Sequence, residues 1–119
     1  MIPAKKDLEF YPGDSFTFFF RVFRTTTEGI KSYPVLEGTP AGHVKAARGA
    51  EEPVLAAFTC TLGDQVAYPG SILCTLTPEQ TADLGEKNFY DVQLTVSPTD
   101  IRTYVTGSLD RHMEEVTAS

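Results

Sequence analysis

Catalysis needs side chains that move protons, attack carbon or hold metal, and this chain offers few of them. Its 119 residues include two histidines, His43 and His112, and two cysteines, Cys60 and Cys74. A hydrolytic triad requires a base beside an activated nucleophile, and neither histidine stands in a G-x-S-x-G or related setting. Zinc requires closely spaced Cys and His pairs, and the two cysteines follow neither a C-x-x-C nor another ligand spacing. Asp14, Asp64, Asp83, Asp91, Asp100 and Asp110 lie mostly near turns. None sits in a D-x-D-x-D-G loop, so Asx hydrogen bonding in turns is expected of them rather than calcium ligation. Glu51-Glu52 and Glu114-Glu115 are paired carboxylates, but neighbours on one strand point to opposite faces, which makes them solvating charges. Gly38-Thr39-Pro40-Ala41-Gly42 lacks the Gly-Lys-Ser/Thr that a phosphate cradle needs. The expectation is a protein with no catalytic, cofactor-binding or metal-binding residues: not an enzyme, and without a cofactor.

What remains is a binding chemistry. In the run from Ser15 to Arg24, Phe16, Phe18, Phe20 and Val22 share one strand face, while Thr17, Phe19, Arg21 and Phe23 share the other. The first face is core. On the second, Phe19 and Phe23 flank Arg21 in one row, and two phenylalanines on a solvated face form an apolar patch of the kind that marks an interaction site. Phe19, Arg21 and Phe23 are therefore the candidate protein interface. The alternative is that the long Thr25 to Pro40 segment folds back over them as a cover.

The elements that position this row are short and β-rich. Leu8 to Tyr11 forms a first strand, and Pro12-Gly13-Asp14 suits a type II turn leading into a hairpin with the phenylalanine strand. A weaker strand runs from about Gly42 to Arg48 with Val44 and Ala46 inward, followed by a turn over Gly49 to Pro53. Val54, Ala56, Phe58, Cys60 and Leu62 give the next strand its inner face. Gly63-Asp64 opens a turn that Tyr68-Pro69-Gly70 closes, and Ser71 to Leu76 follows with Ile72, Cys74 and Leu76 inward. Thr77-Pro78-Glu79-Gln80 reads as a helix start, with a threonine N-cap, proline at the first position and glutamine reaching back; Gly85 stops it after about two turns. Asn88 to Val96 points Tyr90, Val92 and Leu94 inward. After Ser97-Pro98-Thr99-Asp100, Ile101 to Leu109 does the same with Ile101, Thr103 and Val105. Met113 to Val116 suggests a short edge strand before a tail.

Length allows one domain over residues 1–119, with flexible ends near 1–6 and 112–119, and such a chain buries about two-thirds of its unfolded surface. With 41% hydrophobic and 22% charged residues, a core needs no metal or disulfide. The expected fold is all-β: an antiparallel sandwich of about seven to eight strands with one short helix near residues 78–84. A net charge of −6 and scattered basic residues oppose nucleic acid and anionic membrane as partners. Residues 1–7 lack the apolar run of a signal peptide, and no stretch reaches the about 18 apolar residues of a membrane span. A cytoplasmic origin is expected, with Cys60 and Cys74 as two buried, reduced thiols lying near one another.

The order of elements carries a resemblance. After the Gly13-Asp14 turn and the phenylalanine-rich strand come Pro34-Val35 and Val54 to Leu62. Next is Ser71-Ile72-Leu73-Cys74-Thr75-Leu76-Thr77-Pro78-Glu79-Gln80-Thr81, followed by Phe89-Tyr90-Asp91-Val92-Gln93-Leu94 and Tyr104-Val105-Thr106-Gly107. This string resembles the small Ig-like β-sandwich domains of tailed-phage virions, of the upper baseplate and minor tail protein type, over nearly the whole chain. Its most specific parts are the Thr-Pro-Glu-Gln-Thr helix and the Tyr-Asp-x-x-Leu strand. After Pro34-Val35 the family usually continues Asp-Leu-Thr-Gly, whereas Leu36-Glu37-Gly38 follows here.

The resemblance implies a non-catalytic virion structural protein, an assembly or adaptor component of the tail or baseplate. It would be assembled in the host cytoplasm, with other virion proteins and copies of itself as partners. A capsid decoration protein is the alternative within the virion. A carbohydrate-binding module is the alternative from another class: Tyr11, Tyr33, Tyr68 and Tyr104 could supply its platform, but the chain has no tryptophan, the residue with the largest stacking face.

Overall fold

A computed structural model describes residues 4–25, 27–48 and 53–112. The chain is all-β with one short helix. In order come β1 (Ala4–Lys5), β2 (Leu8–Phe10), β3 (Phe16–Arg21), β4 (Arg24–Thr25), β5 (Lys31–Ser32), β6 (Thr39–Lys45), β7 (Val54–Leu62), β8 (Ser71–Leu76), α1 (Pro78–Ala82), β9 (Lys87–Ser97) and β10 (Asp100–Arg111). Eight strands form one hydrogen-bonded path, β1-β10-β9-β6-β7-β8-β3 with β2 also beside β10, and β4 and β5 make a separate two-stranded hairpin.

The expected division into two facing sheets is replaced by one sheet that curls. The device is β7, whose first half pairs with β6, from Val54 opposite Lys45 to Phe58 opposite Gly42. Its second half, Thr59 to Leu62, pairs with β8 instead. Passing from one neighbour to the next lets the β8–β3 end fold back over the rest, so that Phe18 of β3 lies 5.7 Å from the ring of Tyr90 on β9. Phe18 also meets Phe58 edge-on at 5.7 Å. The closed side holds the core: Phe10, Val44, Ile72, Cys74, Leu76, Val92, Leu94 and Leu109 are almost wholly buried.

Local chemistry explains most of the elements. The Pro12-Gly13 turn forms as the type II geometry requires, with Gly13 at φ 84° and Asp14 N–H donating to the Tyr11 carbonyl at 3.1 Å. The expected β2–β3 hairpin does not follow from it. β2 runs parallel to β10 while β3 pairs with β8, because a type II turn splays the strands it joins whereas type I′ and II′ turns match their twist. The sheet is thus not purely antiparallel, since β1 and β2 both run parallel to β10. Thr77 caps α1 with the full reciprocal box: its hydroxyl accepts from Gln80 N–H, and Gln80 accepts from Thr77 N–H. The helix ends at Ala82 with Asp83 as its C-cap, shorter than the expected 78–84.

Four inward assignments fail, two at a change of strand phase and two at strand ends. Ile101, which is exposed, and Thr103, which is half-buried opposite Gln93, fall on the outer phase because β10 carries an irregularity between Thr103 and Val105, which puts Tyr104 as an extra residue in register. Such a bulge flips the phase of everything before it. Ala46 is exposed and lies beyond the end of β6, and Val54 is half exposed at the start of β7. β6 begins three residues earlier than expected, at Thr39. Its Pro40 is tolerated because β7 reaches β6 only from Gly42 onward, leaving Pro40 at an edge where no N–H is needed.

The first and last described strands meet. Ala4 and Lys5 lie opposite Val105 and Thr106, and Lys6 N–H donates to the Thr106 carbonyl at 2.9 Å, so the expected solvated arm is laid along β10 from Ala4. The Tyr90 hydroxyl donates to the Lys6 carbonyl at 2.7 Å. This close passage requires glycine at 107, where a Cβ would collide with the Lys6 carbonyl oxygen. The turn expected over Gly49 to Pro53 and the edge strand expected over Met113 to Val116 fall wholly or mostly outside the described residues. No described helix is long and apolar enough to cross a membrane.

Candidate functional site

β3 ends the sheet. β8 pairs along one side of it from Phe16 to Arg21, and no strand pairs along the other among the described residues. Period-2 alternation places Phe18 and Phe20 in the core and turns Phe19 outward, where it is 52% exposed. Phe23, two residues beyond the strand, is 47% exposed. An open edge carrying exposed aromatic side chains is a template for another chain.

Arg21, between them, is held in place. Its Nε donates to the Pro69 carbonyl at 2.8 Å, and its guanidinium lies 3.7 Å above the ring of Tyr33. Tyr33 also meets Phe23 edge-on, with ring centroids 6.0 Å apart, and Lys31 Nζ stands 4.8 Å from the centre of the Phe23 ring. Each such cation–π contact contributes about 0.5–1 kcal/mol at an exposed site. The β4–β5 hairpin brings Tyr33 and Lys31 here, so the segment from Thr25 to Pro40 does fold back. It braces Arg21 and one side of Phe23 and leaves Phe19 open.

Arg21 and Phe23 are therefore joined through Tyr33, while Phe19 stands on the same face of β3. The part sequence reasoning missed is Tyr33 as the residue linking them, together with Lys31. No periodicity announces this pairing, because it depends on how a two-residue-per-strand hairpin returns. The face is aromatic and cationic, carrying Arg21 and Lys31 on a chain of net charge −6.

The same segment is anchored at its far end. Leu36 is buried, and its N–H donates to the Gln65 side-chain oxygen at 3.0 Å. Gln65 also accepts from Gly70 N–H at 2.9 Å and donates to the carbonyls of Gly63 and Ser71 at 3.1 and 2.9 Å.

The residues considered for chemistry are dispersed. His43 Nδ1 lies 3.7 Å from Asp91 Oδ1, and His112 Nδ1 lies 2.7 Å from Glu9 Oε2. His43 and Asp91 border a cleft of about 460 Å³ with Lys45, Arg48, Phe89 and Thr106, where Arg48 lies 4.9 Å above the Phe89 ring. Among the described residues no three His, Cys, Asp or Glu side chains come together as a metal site. Asp64 forms the expected Asx turn, accepting from Val66 and Ala67 N–H at 2.9 and 3.2 Å. Of the tyrosines considered for a sugar platform, Tyr33 lies under Arg21, Tyr11 is tilted against His112, Tyr104 is buried and Tyr68 is exposed.

Compared with known protein families and with curated proteins, the chain matches none.

Proposed function

We propose that the protein is a non-catalytic structural component of a tailed-phage virion, an assembly or adaptor part of the tail or baseplate, joining its neighbour through the outer face of β3. The observation that carries the reading is the row Phe19, Arg21 and Phe23 on a strand with an open edge. Burying a phenylalanine contributes roughly 1.5–3 kcal/mol, and both side chains still have about half of that surface to give. Arg21 is already immobilised by Pro69 and Tyr33, so a partner that pairs with it loses little side-chain entropy. The order of motifs that resembles phage Ig-like domains supports the virion setting. With Tyr33 engaged by Arg21, Tyr11 tilted against His112 and Tyr104 buried, Tyr68 is the one of the four tyrosines left exposed without such a contact, and a single ring gives a carbohydrate platform little support.

The test is sedimentation of the wild-type chain, alone and with the virion's other structural proteins, beside the double variant Phe19→Asp, Phe23→Asp. Wild type should associate with itself or with one of those proteins, and the variant should remain monomeric with a near-wild-type melting curve. An unchanged assembly together with an unchanged melt would remove β3 as the interface. A tagged copy on intact particles should appear at the tail; density on the head surface would transfer the protein to capsid decoration.

A further inference from the structure

Cys60 on β7 and Cys74 on β8 are direct cross-strand partners, both thiols are free, and their sulfurs stand 3.3 Å apart. The geometry points to a redox modification site: a low-molecular-weight disulfide converts this dithiol into an intramolecular cross-strand disulfide, with Cys60 attacking and Cys74 resolving. Opposed residues of an antiparallel pair have Cα atoms about 4.5–5.5 Å apart. That lies inside the range of about 4.4–6.8 Å that a disulfide spans without backbone movement. Closing the bond asks for side-chain rotation only.

The two sulfurs are not equivalent. Cys60 is partly exposed and Cys74 is wholly buried, so a reagent in solution reaches Cys60 first. The hydrogen bond between the two sulfurs holds the Cys60 thiol below its ordinary pKa. The same bond, together with burial, pushes Cys74 upward. The thiolate is the nucleophile, so access and acidity select the same residue.

In the first step the Cys60 thiolate attacks one sulfur of the reagent RSSR. The reagent's S–S bond breaks, RS⁻ leaves, and a mixed disulfide stands on Cys60. RS⁻ takes the proton of Cys74, whose sulfur then attacks the Cys60 sulfur. A second RS⁻ leaves and recovers from solvent the proton that Cys60 had released. Two protein thiols have lost two electrons, and the reagent has become two molecules of thiol. The new bond falls just past the point where β7 leaves β6 for β8, so it staples the bend of the sheet.

The reduced full chain, held in excess oxidised glutathione, is quenched in acid at increasing times, unfolded, alkylated and mapped by mass spectrometry. A transient glutathione adduct should appear on Cys60, followed by loss of both alkylation sites and a melting temperature higher by on the order of 10 °C. Dithiothreitol should reverse all three. Cys74→Ala should hold the adduct on Cys60 indefinitely. Two thiols still alkylatable at equilibrium would overturn the inference, as would an adduct forming first on Cys74. Should Cys74→Ala fail to fold, the time course on the wild-type chain decides alone.

Discussion

Gln65 satisfies four backbone groups with one side-chain amide, two through its oxygen and two through its nitrogen. Those groups belong to Leu36, Gly63, Gly70 and Ser71, so one residue ties the brace of the β3 face to the loop between β7 and β8. Gln65→Leu keeps the volume and removes its bond from all four, of which the Ser71 carbonyl still accepts from the Gly63 N–H; a part-buried group left unpaired costs about 1–3 kcal/mol. The expected loss is roughly 2–4 kcal/mol by chemical denaturation, with Tyr33 becoming mobile. Asp7 is a second single-residue fastener. Its carboxylate accepts the Ser108 N–H at 3.2 Å, and that hydrogen bond holds its pKa below the ordinary 3.8. With the folded pKa depressed, the contribution is fully present above pH 3.8 and disappears as pH falls through the lowered value. In an acid titration of stability, Asp7→Asn should lack that component; matching curves for the two proteins would dismiss the fastener. Neither residue advertises its role in the sequence, because each partner set is assembled from distant turns or strands.

Glycine at 107 decides how an element sits, since the Lys6 backbone passes where a side chain would be. Gly107→Ala must lift the β1–β2 segment from β10, breaking the Lys6 to Thr106 and Tyr90 to Lys6 hydrogen bonds. Forcing extra carbon into a packed site costs about 1–3 kcal/mol. Amide exchange at Lys6 should accelerate while β6 to β8 keep their protection; uniform acceleration across the sheet would mean the contact is not local. Elements of this kind show how far a sequence can be read. The capped helix, the Pro12-Gly13 turn, the Asp64 turn and the inner faces of β3, β8 and β9 were legible, because each depends on neighbours a few residues away. The β2–β3 hairpin was misread because a turn fixes local geometry and leaves the choice of pairing partner open. Ile101 was misread because a bulge leaves no mark in the alternation of residue types. At the candidate site the row Phe19, Arg21 and Phe23 was visible as spacing, and the Tyr33 brace was not.

On the scale of the molecule, one curled sheet has two ends with opposite fates. The β3 end is open and aromatic, which is why assembly is assigned to it. The other end finishes in two short strands, β1 and β2, both lying along β10, the last described strand. Leu8 stands opposite Leu109, and Phe10, fully buried, belongs to the same seam. A ribosome therefore releases Leu8 and Phe10 about a hundred residues before the strand they pair with, a delay of roughly 5–20 s at ordinary elongation rates. Through that interval Leu8 and Phe10 lack the strand they pair with. The sheet can be completed only after β10 has left the exit tunnel, so β2 has to stay free of other chains until then.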